Sequence, residues 1–164
     1  MRVTQWIWAG PIAFLIHDAE EVATVERWLG LHAAQLPPVV QPLIGITTRQ
    51  FAAAVVLLLI GFILTAAHGA RRAQRHLPSI PFLLVAGAFV ANGVTHLAQA
   101  AYFRGYTPGV LSAIVVVLPY GVALGRSLSR NSIITPRTYA AAVVAGAMLQ
   151  VPFALLALAA VRGR

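Results

Sequence analysis

The sequence predicts an all-α protein, a membrane bundle of five transmembrane helices forming one domain over residues 1–164. Three observations predict it. Hydrophobic residues make up 59% of the chain and charged residues 10%, where a soluble domain carries roughly 25% charged. The mean hydropathy is +0.80. Apolar segments of spanning length, roughly 20 residues each, alternate with linkers rich in proline or arginine.

The first segment runs from about Thr4 to Trp28. Its first half is apolar and its second half carries acids. Pro11 is expected to kink it or to end a distorted first turn. Four further segments are mostly apolar over a spanning length: about Arg49–Ala70, Ile80–Tyr102, Gly109–Leu128 and Thr138–Val161. The linker "GLHAAQLPPVVQPLIGITT" has three prolines and no charge, and reads as a re-entrant or interfacial loop. "HGARRAQRHLPSIP" and "GRSLSRNSIITPR" are basic and polar, and read as water-facing loops.

All twelve basic residues are arginines, and they stand between or beside the apolar segments. That placement anchors loops. It does not form the basic face that nucleic acid requires, so no nucleic-acid partner is expected despite the net charge of +8. With five spans, one side holds Arg2, Arg71, Arg72, Arg75, Arg126, Arg130 and Arg137, and the other Arg27, Arg49, Arg104, Arg162 and Arg164. The positive-inside rule then places the N-terminus in the cytoplasm, in what reads as a bacterial inner membrane. Trp6, Trp8, Trp28, Tyr102 and Tyr106 fall near span ends, as interfacial aromatics do. Arg2 is followed by no small-residue cleavage site, so the first segment is expected to be retained. The chain has no cysteine, which excludes disulfides, thiolate catalysis and cysteine-bound zinc or iron–sulfur centres.

The chain has four acids, Asp18, Glu20, Glu21 and Glu26, all in the first segment. An ionisable residue at the centre of a span costs roughly 2.5–3.5 kcal/mol on insertion scales, so a cluster there points to function. His17 and Glu20 are spaced i,i+3, and His17 and Glu21 i,i+4, which puts the three on one broad helix face. Asp18 points about 100° away from His17 and flanks Glu21 by one turn. The third segment carries a second polar stripe, Asn92, His96 and Gln99, and Gly93 permits close approach of a neighbour. At 1.5 Å per residue, His17 lies ~20 Å and His96 ~24 Å into helices that run the same way, so the two sets can meet. Gln150 sits near the middle of the fifth segment, and Tyr120 follows Pro119 in the fourth. Both are candidates to line the same substrate pocket.

Two imidazoles and two carboxylates suit zinc, iron or manganese, with His17, Glu20, Glu21 and His96 as possible ligands. The same groups also form a metal-free acid/base site, in which paired carboxylates divide the acid and base roles. This version is slightly preferred, because His17 and both glutamates share one helix. His32, His68 and His76 read as interfacial or loop residues, and Arg27 and Arg104 as anchors.

"HDAEE" (His17–Glu21) fits an HXXEE signature and "NGVTH" (Asn92–His96) an NXXXH signature. With both in order, the chain resembles the HXXEE-domain family of small integral membrane proteins with about five predicted spans. The resemblance implies catalytic roles for His17, Glu20, Glu21, Asn92 and His96, and it names no common reaction. The expected function is therefore a membrane-embedded enzyme in the lipid bilayer. It would act on a lipophilic small-molecule substrate by acid/base or metal-assisted isomerisation, cyclisation or hydrolysis. The alternatives are a proton or divalent-cation transporter using the same residues, and a non-catalytic membrane protein. Transport calls for polar groups along a path through the membrane, whereas here they gather at one depth.

Overall fold

The structure is a computed structural model that describes residues 2–36, 38 and 44–162. Among the described residues it is all helical. Helix α1 spans Val3–His32 and is followed by a 3₁₀ turn at Ala33–Gln35. Helix α2 spans Thr48–Ala73 and α3 spans Ile80–Phe103. Helix α4 spans Val110–Arg130, with a π turn at Ala113–Val117, and α5 spans Pro136–Arg162. Four of these, α2 to α5, are long and apolar enough to cross a membrane. Helix α1 is the longest, 30 residues, and carries all four acids.

Local chemistry sets the helix starts. Thr47 accepts the Gln50 amide at its hydroxyl, and the Gln50 side chain accepts the Thr47 amide, which closes a capping box on α2. Ser79 accepts the Phe82 amide and Pro81 occupies the first turn of α3. Thr135 accepts the Thr138 amide at the start of α5. Gly109, at φ +82, opens α4 in a conformation that favours glycine. Helix α1 runs unbroken from Val3 through Pro11, so this proline does not end a distorted first turn. Most of the proline-rich linker expected to be re-entrant lies outside the described residues.

The helices alternate in direction. One apolar cluster gathers Ile7 from the start of α1, Ala70 from the end of α2, Phe82 from the start of α3, Leu128 from the end of α4, and Ala142 from α5. A second, at the opposite end, joins Val25 and Leu29 of α1 to Ala54 of α2 and Leu158 of α5. Glycine lets α3 and α5 touch backbone to backbone. A Cβ on Gly87 would run into the Ala142 carbonyl, and one on Gly146 into the backbone of Ala88. The outer surface stays greasy: Ile12, Ile60, Leu64, Val144, Met148 and Leu156 are all exposed. The polar residues of α1 and α3 sit between the two apolar clusters.

Candidate functional site

Three helices bring the site together. Helix α1 supplies His17 and Glu21, α3 supplies Asn92 and His96, and the start of α4 supplies Ser112. His17 is fully buried and His96 is 4% exposed. The two imidazole rings lie 4.8 Å apart, edge to face. Asn92 Nδ2 donates to Nε2 of both, at 3.2 Å for His17 and 2.9 Å for His96. Glu21 Oε1 stands 3.2 Å from His96 Nε2. One ligand-type atom from each of His17, Glu21 and His96 lies within 4.8 Å of the others. The depths estimated for the two histidines thus correspond to a real meeting.

The two adjacent glutamates part company. Glu20 turns to the first turn of α4, where Oε2 accepts the Ser112 amide at 2.8 Å and the Ser112 hydroxyl at 2.6 Å. Its Oε1 accepts the Leu111 amide at 3.3 Å and the Tyr106 hydroxyl at 2.9 Å. A helix start leaves amide donors unpaired and carries a partial positive charge, so a carboxylate there is stabilising. Glu26 does the same for α2, accepting the amide and hydroxyl of Thr48. Glu20 and Glu26 are thereby taken up by neighbouring helices. Glu21 and Asp18 remain for the interior. Asp18 is 5% exposed, its Oδ2 has no partner, and it lies in electrostatic reach of Glu21.

Ser112 links Glu20 to His17. Its hydroxyl has one proton. Glu20 Oε2 is an acceptor only, closer and more highly charged than the Gly109 carbonyl at 3.2 Å, so the proton goes to Glu20. The 2.9 Å contact with His17 Nδ1 is then donated by the ring. Neutral His17 consequently carries its proton on Nδ1 and presents the Nε2 lone pair to the cluster. Gly109 completes the enclosure, since a Cβ there would stand 2.8 Å from His96 and 2.9 Å from His17.

The Arg104–Gly109 connection roofs this end. Trp28 donates its indole N–H to the Tyr106 carbonyl at 2.9 Å, and the Tyr106 hydroxyl reaches Glu20. Burial, together with the hydrogen bond to Glu20, raises the Tyr106 hydroxyl above the ordinary phenol value, so it stays a donor at neutral pH.

Of the residues expected at the site, His17, Glu21, Asn92 and His96 converge, while Glu20 supports from one step away. Gln99 is half-buried. Gln150 donates to the Thr95 hydroxyl at 3.1 Å, on a neighbouring part of α3. Tyr120 packs among the aromatics of the opposite half, its ring 6.0 Å from that of Phe89. It therefore joins the core and leaves the polar pocket to others. His32 stacks on Trp28 and His68 bonds Ser79, both away from the cluster. The residues that sequence reasoning missed are Ser112, Gly109 and Tyr106. The signal available for them was "YTPGVLS", a glycine followed three residues later by serine at a helix start.

A family described as "Protein of unknown function with HXXEE motif" matches residues 8–124. That range holds all of His17, Glu20, Glu21, Asn92, His96 and Ser112. No curated protein and no solved structure matches the chain.

Proposed function

The chain belongs to the HXXEE-motif family, and from its buried polar cluster we propose that it is a membrane-embedded enzyme acting on a lipophilic substrate. The chemistry is acid/base in class: an isomerisation, a cyclisation or a hydrolysis. His17, Glu21 and His96 form the reacting centre, and Asn92 and Ser112 hold the imidazoles in place. In this reading α1 crosses the bilayer as a fifth span, with the N-terminus on the cytoplasmic side of a bacterial inner membrane.

The observation that carries the reading is the convergence of two buried imidazoles and one carboxylate from two helices. Placing such groups inside a bundle costs several kcal/mol, and folding gains nothing from them that apolar residues would not give better. Glu21 is also the reachable member, its side chain 15% exposed against 5% for His96. A substrate dissolved in the bilayer meets it first. Transport is supported less well. A carrier needs polar groups through both halves, and the half toward Val3 is filled by Phe14, Phe62, Phe89 and Tyr120.

The test is a comparison of lipid extracts. A host lacking the protein is given the wild type or Glu21→Gln, and extracts are compared by mass spectrometry. The reading expects a lipophilic species depleted, and a product formed, with the wild type alone. Identical extracts from both would end it.

A further inference from the structure

We propose that His17, His96 and Glu21 are the protein ligands of a divalent transition-metal ion of the zinc or ferrous class. The inference deepens the reading above and rests on it for the claim that the site does chemistry. Metal binding itself is measurable without any known reaction.

Hydrogen-bond accounting leads to the ion. Ser112 and Glu20 hold His17 with its Nε2 lone pair inward. Asn92 spends its two N–H protons on the Nε2 atoms of His17 and His96. His96 Nε2 then also presents a lone pair, and Glu21 Oε1 faces that lone pair at 3.2 Å. Two acceptors this close, in a buried place, repel unless a positive charge lies between them. A half-turn of the Asn92 amide would place Oδ1 where Nδ2 stands and bring a fourth lone pair to the same point. In the present arrangement the two Asn92 protons occupy the imidazole lone pairs; the turned amide releases both of them, with its own, to one cation.

The dimensions fit. A tetrahedral ion with ligands at about 2.0–2.1 Å sets them roughly 3.3–3.4 Å apart. The His96–Glu21 pair is at 3.2 Å already. All three ligand atoms lie within 4.8 Å of one another, so side-chain rotation of at most ~1.4 Å closes the set. Two imidazoles and one carboxylate select zinc or ferrous iron over magnesium and calcium, which take oxygen ligands. Three protein ligands leave a position open for water or substrate, the pattern of catalytic sites rather than structural ones.

The surroundings of His17 match a ligand shell as well, whereas His96 Nδ1 is buried without a partner. His17 donates its second ring nitrogen to Ser112, which is itself fixed by the Glu20 carboxylate. Such outer contacts orient metal-binding imidazoles and raise their basicity. Gly109, without a Cβ, leaves the two rings room to approach one another.

The alternative occupant is a single proton shared by Glu21 and His96, and one experiment separates the two. The protein is purified in detergent from cells supplied with zinc, iron and manganese, and its metal content is measured by mass spectrometry. It is then stripped with a chelator and reloaded with zinc or cobalt alone. The expected result is about one ion per chain, zinc or iron, with a visible cobalt spectrum of low coordination number after reloading. Metal content should fall roughly tenfold or more in Glu21→Gln and in His96→Gln, and stay unchanged in His68→Gln. Elution as a monodisperse species checks that each variant is folded. If a variant elutes poorly, zinc-dependent thermal stabilisation of the wild type, absent when His17 is replaced by Gln, carries the same information. A wild type that neither retains nor takes up zinc or cobalt overturns the proposal. So does equal metal in the wild type and both cluster variants. A metal-free protein whose lipid product still depends on Glu21 removes the ion and leaves the enzyme. A metal-loaded protein without such a product removes the enzyme and leaves the ion.

Discussion

The two halves of the bundle are held together in different ways. Toward Val3, packing does the work. Phe62, Phe82, Phe89 and Tyr120 interlock, and α3 meets α5 through Gly87 and Gly146 with no room for a Cβ. Toward Gly109, hydrogen bonds do it. Glu20 bridges α1 to α4, Asn92 bridges two imidazoles, and Trp28 ties down the Arg104–Gly109 connection. A core of close contacts tolerates no added volume. A polar network tolerates volume better, but leaves buried atoms unpaired when one member is lost. Substitutions should therefore divide into those that unfold the protein and those that leave it folded with a damaged centre.

The largest effect is expected from Gly146→Leu. Its side chain must displace the backbone of α3, costing about 3 kcal/mol or more, so the folded species should vanish from detergent gel filtration. A folded, monodisperse variant would break the packing half of the comparison. Gly109→Ala comes next. It forces alanine into a positive φ and presses a methyl on both imidazoles. A loss of about 1–3 kcal/mol by thermal melting is expected, together with loss of whatever the cluster binds. Ser112→Ala should leave the melting point within a few degrees, yet free His17 to rotate and weaken binding at the cluster roughly tenfold. Equal damage to stability and binding would show that Ser112 serves the fold alone. Tyr106→Phe removes one donor from Glu20, which keeps three others. Its cost should be about 1 kcal/mol or less in a denaturation midpoint.

The helices were legible because apolar runs of spanning length admit few other structures. Their observed ends fall within a few residues of the expected ones, since Thr47, Ser79 and Thr135 carry cap chemistry. The pairing of His17 with His96 was legible too, because depth along a helix is fixed by its rise. What could not be read was the division between Glu20 and Glu21. Both lie on the His17 face at i+3 and i+4, and only the start of α4 separates them. That start is some ninety residues further along the chain, and nothing in the local spacing announces it. Tyr120 misled for a related reason. Its position after Pro119 in the fourth segment made it a candidate for the polar pocket, but the π turn at Ala113–Val117 precedes it and its ring settles beside Phe89.

That division is also the sharpest point of the account. Two neighbouring glutamates have distinct surroundings: Glu20 closes a helix start, and Glu21 turns to the buried imidazoles, where the proposed centre lies. The direct measurement is the metal content of purified Glu20→Gln and Glu21→Gln, side by side with the wild type and matched for folded fraction. The account predicts that Glu20→Gln retains most of the bound ion, because His17, His96 and Glu21 remain, and that Glu21→Gln loses it. Equal loss from both, or greater loss from Glu20→Gln, would contradict the proposed centre.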